Sequence, residues 1–325
     1  MFALVQITPV YWAGFVGFIL ICLALDLGVF HRGAYKVTFK SALTWTLIWC
    51  SLAMLFALAL VRLRGKHAAL DFLTGYVIEF SLSMDNVFVI ALIFTYFQVP
   101  DKYQHRVLFW GILGALIMRG FMIVGGTALV QQFQWTLYFF GGFLVFTGVK
   151  MLFVGEGKIR PEKNPVLRAA RKLFPVSAEL DGHKLMTRLN GRRALTPLMI
   201  VLLMVETSDL IFALDSIPAI FSVTTDPFIV FTSNVFAILG LRSLYFLLAG
   251  AINYFRYLKV GLSLVLVFIG VKMLIDPHDD KNPMWFQIDI PTTISLMVVA
   301  TIILSAIVLS VMVAEREKRT GVNRS

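Results

Sequence analysis

The sequence predicts an all-α polytopic membrane protein with about nine transmembrane helices, and three observations predict it. Of its 325 residues, 58% are hydrophobic and only 15% charged, and the mean hydropathy is +0.82. Soluble globular domains do not have this balance. The apolar residues gather into nine runs, most of them near the roughly 20 residues that cross a bilayer core. Lys and Arg, in turn, collect in alternate connections between those runs.

The runs fall at 9–30, 41–61, 72–97, 107–130, 135–154, 197–222, 228–251, 257–275 and 290–314. The first lacks a basic segment before it and a small-residue cleavage site, so it reads as a retained helix and not a signal peptide. Pro291 suits the first turn of the last run. Cys22 and Cys50 both fall in apolar runs and form no CxxC. His31, His67, His105, His183 and His278 all fall between runs. The long fifth connection holds NPVLRAARKLFP (164–175), a basic amphipathic segment suited to an anionic membrane surface. It also holds an Asn190–Gly191 pair between two short runs, a hairpin signal.

Odd-numbered connections and the C-terminal tail carry 21 Lys and Arg, ten of them in the fifth connection, whereas even-numbered connections carry four. Basic residues flanking spans fix orientation, and they account for the net charge of +10 without invoking nucleic acid. The expectation is a multi-pass protein of the cell (inner) membrane, with the N-terminus outside and the C-terminus cytoplasmic. The second connection is the weak point, because Arg62, Arg64 and Lys66 lie on the predicted outer side.

An internal repeat follows from the acids. Glu79 and Asp85, in EFSLSMDN, are six apart, as are Asp209 and Asp215 in VETSDLIFALDSIPAIF. Asn86 follows the first pair and Ser216 the second. Downstream, FLVFTGVKML (143–152) matches VLVFIGVKML (265–274), and GILGALIMRG (111–120) resembles FAILGLRSLY (236–245). Three spans per copy is an odd number, so two copies in one chain run through the membrane in opposite senses, an arrangement that recurs in transporters. The resulting division is 1–71, two N-terminal helices; 72–154, the first three-helix repeat; 155–196, a basic cytoplasmic loop; 197–275, the second, inverted repeat; and 276–325, the ninth helix with a basic cytoplasmic tail.

Six acids fall in the predicted spans (Asp26, Glu79, Asp85, Glu206, Asp209 and Asp215) against four bases (Arg119, Lys150, Arg242 and Lys272). Each costs at least about 2.5–3.5 kcal/mol at a span centre. Arg119 and Arg242 can each hold a carboxylate, a buried pair that breaks even at best; the two surplus acids are left to bind a proton or a cation. Pro218 removes a backbone donor beside Asp215 and predicts a helix break there. The candidate ligands are oxygens, which suit Mg²⁺, Ca²⁺, Mn²⁺ or Na⁺ and not Zn²⁺ or Cu⁺. Met84 and Met204 lie near the acids in sequence.

EFSLSMDNVFVIALIF, ETSDLIFALDSIPAIF and TDPFIVFTSNVFAILGLRSLYFLLAG resemble the TerC family of bacterial membrane proteins, in particular its Alx-like branch, over nearly the whole chain. The family is named for tellurite resistance, and Alx-type members are similar to manganese exporters and are also labelled redox modulators. The resemblance implies Mn²⁺ export, as substrate and not as a permanently bound cofactor. It puts the metal on Glu79, Asp85, Asn86, Asp209 and Asp215, with Asn234 as a further ligand. Glu206, Ser216, Arg119, Arg242 and Asp26 remain as supporting or ion-pairing groups.

The expected function is therefore secondary export of Mn²⁺ or another divalent cation, with no enzymatic activity. GxxxxGK[ST], GxGD and HExxH are absent from the sequence, so neither nucleotide hydrolysis nor an intramembrane protease reaction has its signature. The alternative is a membrane stress-response component, for tellurite resistance or redox modulation, that transports nothing and acts through protein partners docked on the basic fifth loop.

Overall fold

A computed structural model describes residues 9–30, 39–133, 135–153, 164–177, 179–182, 184–189, 191–249, 257–276, 288 and 290–320. Eleven helices and one small hairpin make up the described chain: α1 (Pro9–Phe30), α2 (Phe39–Arg64), α3 (Lys66–Tyr96), α4 (Asp101–Gln132), α5 (Trp135–Phe153), α6 (Pro165–Leu173), β1 (Met186–Leu189), β2 (Arg192–Leu195), α7 (Pro197–Phe221), α8 (Pro227–Leu239), α9 (Leu241–Ala249), α10 (Leu258–Ile275) and α11 (Thr292–Thr320).

Local sequence sets several boundaries. Asn164, Thr196 and Asp226 each precede a proline at the first helical position, and each side chain accepts backbone N–H groups of its helix. That pairing of a polar cap with a proline in the first turn starts α6, α7 and α8. Gly65, at φ +92°, separates α2 from α3 in a conformation other residues resist. The predicted hairpin is present, with Leu189 opposite Arg192 and Gly191 at φ +78° in the turn.

Seven helices (α2, α3, α4, α5, α7, α10 and α11) are long and apolar enough to cross a membrane, and α8 with α9 forms an eighth candidate bent by 40°. The sequence predicts nine spans. The remaining one is α1, whose described apolar stretch, Pro9–Ala24, falls short of the usual spanning length. The surface is apolar where the helices meet lipid, with Leu58, Phe121 and Leu304 all well exposed, while Glu79, Arg119 and Asp209 are buried. Interior polarity under an apolar exterior is the pattern a bilayer imposes.

Three sequence expectations are corrected here. The seventh span is not continuous over 228–251: it breaks at Gly240. Ser243 Oγ bonds back to the Gly240 carbonyl (2.9 Å), beside the Leu244 N–H that the same carbonyl accepts (3.0 Å), and receives the Thr46 hydroxyl (3.1 Å). Pro218, by contrast, does not break α7, which runs on to Phe221; the proline lacks the N–H that would meet the Leu214 carbonyl, while its own carbonyl still accepts the Ser222 N–H (3.3 Å). Finally, α3 and α4 begin well before their apolar runs, so His67 and His105 lie in helices and not in connections.

α3 sits at the centre. Gly75 of α3 lies against Ile220 of α7, and Asn86 against Asp209, so these two helices run antiparallel. α5 and α10 are antiparallel as well: Gly141 meets the Gly270 carbonyl and Gly148 meets the Ser263 carbonyl. Bare glycine backbone permits that approach. The helix ends fall into two sets. At one end Arg64 pairs with Asp226 (2.7 Å) and Lys272 Nζ donates to the Ser222 carbonyl (3.3 Å). At the other, Tyr245 donates to Gln104 (3.1 Å) and the Tyr257 N–H to Ser310 Oγ (2.8 Å). Even-numbered connections thus meet one another, and so do odd-numbered ones. Arg64, part of the weak point in the charge pattern, has its acid in the sixth connection.

Candidate intramembrane cation site

Side chains project from an α-helix about 100° apart, so positions seven apart share a stripe and positions six apart diverge by about 120°. Glu79 and Asn86 therefore lie on one stripe of α3, and Asp209 and Ser216 on one stripe of α7. Asp85 and Asp215 point elsewhere. The structure follows this geometry. Where α3, α4, α7 and α8 cross, Glu79, Asn86, Arg119, Asp209, Ser216 and Asn234 converge, all buried.

Arg119 of α4 is the hub. Its Nη1 donates to Glu79 Oε1, to Ser216 Oγ (3.2 Å) and to Asn234 Oδ1 (3.4 Å). Its Nε donates to Asp209 Oδ2 (3.2 Å) and its Nη2 to Asp209 Oδ1 (3.0 Å). The forked grip on Asp209 is the geometry a guanidinium favours. Asn86 Nδ2 adds a 2.6 Å bond to Asp209 Oδ1. Three buried atoms of the same cluster have no hydrogen-bond partner: Glu79 Oε2, Asn86 Oδ1 and Asn234 Nδ2. Such orphans are rare in native interiors.

The other predicted site residues lie outside this cluster or at its margin. Asp215 is half-buried and turns toward α5, where Thr147 hydrogen-bonds it and Lys150 supplies a positive charge. Asp85 is half-buried and has contacts of its own. Glu206, one turn before Asp209, lays its carboxylate against the bare backbone of Gly114 on α4, a place a Cβ would fill. Arg242 is buried at the start of α9, just past the break. Asp26 lies in α1, but its side chain is outside the described residues. Among the described residues, no three His, Cys, Asp or Glu side chains gather as a metal would need: Glu79 and Asp209 face a guanidinium, not a third acid. Sequence reasoning placed Arg119 as a supporting residue and missed Gly114 altogether. The seven-residue stripes, more than the six-residue acid spacing, carry the signal for the cluster.

A family model described as "Integral membrane protein TerC family" matches residues 64–318. The chain belongs to the TerC family. Among its relatives in that setting, membrane protein STKORF319 of Myxococcus xanthus is 52% identical over 303 residues, 93% of this chain and 92% of the relative. A protein of Escherichia coli K12 that carries the provisional name membrane-bound redox modulator Alx is 51% identical over 277 residues, 82% of this chain and 86% of the relative. A membrane protein of Rickettsia felis is 40% identical over 300 residues, covering 92% and 97% respectively. No solved structure matches the chain at a significant level.

Proposed function

We propose that this TerC-family protein is a secondary transporter that exports Mn²⁺ or a similar divalent cation from the cytoplasm, through a midplane site built on Glu79, Asn86 and Asp209 with Ser216 and Asn234 beside them. The observation that carries the reading is the buried cluster at the α3–α4–α7–α8 crossing: two carboxylates against one guanidinium, surrounded by oxygen ligands, with two acceptor atoms unsatisfied. Hard oxygen donors suit Mn²⁺, Mg²⁺ and Ca²⁺. Asp85 and Asp215 complete the ligand set in this proposal in another stage of the cycle, since each lies about 120° round its helix from the cluster.

The inverted-repeat architecture supports transport. Matching GVKML to GVKML pairs residues 122 apart, which relates Gly141 to Ser263 and Gly148 to Gly270. The contact Gly141–Gly270 then has Gly148–Ser263 as its symmetry mate, and both contacts occur. A pseudo-twofold axis between α5 and α10 accounts for the pair, and inverted units around a central site are how alternating access is built. With α1 as the first of nine spans, the odd-numbered connections and the tail are cytoplasmic and the N-terminus is outside. α6, with Arg168, Arg171 and Lys172, then lies along the anionic inner leaflet; its cap Asn164 donates to Met204 Sδ (3.2 Å), two turns inside α7.

The test is metal flux in proteoliposomes, comparing Mn²⁺, Ca²⁺, Mg²⁺ and Fe²⁺. Concentrative Mn²⁺ movement is expected, and purified protein that moves none of the four refutes the reading. That result would favour the alternative, a stress-response component acting through partners, which fits the redox-modulator name of the relative.

A further inference from the structure

We propose that Arg119 is a tethered counter-cation: its guanidinium holds the place that a divalent substrate takes, and the two exclude each other. The inference rests on the transport reading above and names how the site stays shut between turnovers.

Charge arithmetic argues for exclusion. With both carboxylates ionised, Glu79 and Asp209 carry two negative charges, and Arg119 supplies one positive that it cannot shed, since a guanidinium keeps its proton in proteins. The closed cluster then keeps one net negative charge, and its Glu79 Oε2 and Asn86 Oδ1 have no hydrogen-bond partner. A divalent cation in place of Arg119 brings the cluster to neutrality. Both together leave an excess positive charge in a dry site, where Coulomb repulsion is strong. A monovalent cation in place of Arg119 reproduces the residual negative charge and gains nothing. The same arrangement therefore selects for divalent charge and prevents the empty site from collapsing or leaking.

Geometry supplies the rest. Arg119 contacts three helices from the fourth: Glu79 on α3, Asp209 and Ser216 on α7, and Asn234 on α8. A guanidinium that only neutralised a carboxylate would need one of them. Withdrawing it frees Glu79 Oε1, Asp209 Oδ2, Ser216 Oγ and Asn234 Oδ1 together, while Glu206, a turn before Asp209 and already laid against α4 at Gly114, offers the displaced group another carboxylate.

The experiment compares Mn²⁺ binding and Mn²⁺ flux for the wild type, R119Q and R119K, each purified in detergent and reconstituted. Removal of the competitor predicts that R119Q binds Mn²⁺ about tenfold or more tighter, the step that about 1.4 kcal/mol of coupling or more produces, while it lets the ion equilibrate and no longer concentrates it. R119K keeps a charge but gives up the fork, so its affinity falls between the two. A structural brace gives the opposite: R119Q binds Mn²⁺ more weakly and loses flux in proportion, which overturns the inference while leaving the transport reading intact. If R119Q does not fold, R119K decides, and affinity equal to or below the wild type overturns the proposal. Wild-type protein that neither binds nor moves Mn²⁺ overturns both.

Discussion

Gly270→Ala tests how α5 and α10 meet. A Cβ at Gly270 would lie 2.7 Å from the Gly141 carbonyl oxygen and 2.8 Å from both the backbone nitrogen and Cγ2 of Val145. Two of those atoms are backbone of the facing helix, so no rotamer change relieves the clash. α5 must move off α10 by about 0.7 Å to restore the 3.4 Å of ordinary contact. Overpacking of this kind costs about 1–3 kcal/mol, and the higher helix propensity of alanine returns about 1 kcal/mol. Separation also loosens the contact of Gly148 with Ser263 and Val267, so the net loss falls at about 1–2 kcal/mol. Gly142→Ala is the control. It gains the same propensity and meets nothing within 4 Å. Thermal unfolding in one detergent, followed by tryptophan fluorescence, should rank Gly142→Ala at or above the wild type and Gly270→Ala clearly below it. Equal stability of the two variants would show that α5 and α10 do not pack through these glycines.

Asp209→Asn strips Arg119 of its forked partner, and breaking a buried pair costs about 3–5 kcal/mol; export should stop while protein still reaches the membrane fraction, and wild-type flux would remove Asp209 from the site. Asp85→Asn and Asp215→Asn are expected to stop export with a smaller loss of stability, read by the same flux assay beside a melting curve. At the α2–α8 junction, Asp226→Ala should destabilise more than Arg64→Ala. The ion pair is part-exposed and contributes at most about 1 kcal/mol, whereas Asp226 also caps two backbone N–H groups of α8, a role that contributes about 1 kcal/mol more; equal melting temperatures would refute the capping argument. In the fifth connection, hydrogen bonds from Thr187 and Lys184 hold the Asp181 carboxyl below its ordinary range. A depressed carboxylate stabilises above its ordinary pKa and loses that contribution as pH falls through the lowered value. Hydrogen exchange of the 184–195 segment should therefore quicken only in strong acid, and Asp181→Asn should abolish that dependence.

The spans were legible because each is a long apolar run with turn residues at its ends, and Asn-Pro, Thr-Pro and Asp-Pro mark three helix starts by chemistry alone. The break in the seventh span was not, because a single glycine in an apolar run is no stop signal, and the Thr46–Ser243 contact beside it joins two helices that only the fold brings together. Pro218 misled because α7 absorbs it: the helix runs on to Phe221 although the proline has no N–H for the Leu214 carbonyl. At the site, the acids were visible as polar intrusions in apolar helices. Their six-residue spacing drew attention to Asp85 and Asp215, although helix periodicity puts Asn86 and Ser216 on the faces that meet. The central place of Arg119 could not be read from sequence, because nothing in the local pattern of α4 says which of several acids a lone intramembrane arginine will reach.

On the inverted-repeat reading, the two copies also differ where a transport cycle would need them to. Aligning ILG (112–114) with ILG (238–240) pairs Gly114 with Gly240. The second unit is broken and bent by 40° at its glycine, between α8 and α9, whereas the first runs unbroken through Gly114 as the single helix α4. Inverted repeats alternate access by exchanging the conformations of their halves. On the transport reading, the opposite state therefore bends α4 at Gly114 and straightens α8 into α9. Gly114 is also where Glu206 rests, and Arg119 lies just over one turn further along α4, so a bend there would carry the guanidinium away from Glu79 and Asp209. On that reading, the glycine that looks like a mere packing accommodation is the point at which conformational exchange and release of the proposed cation site become one movement.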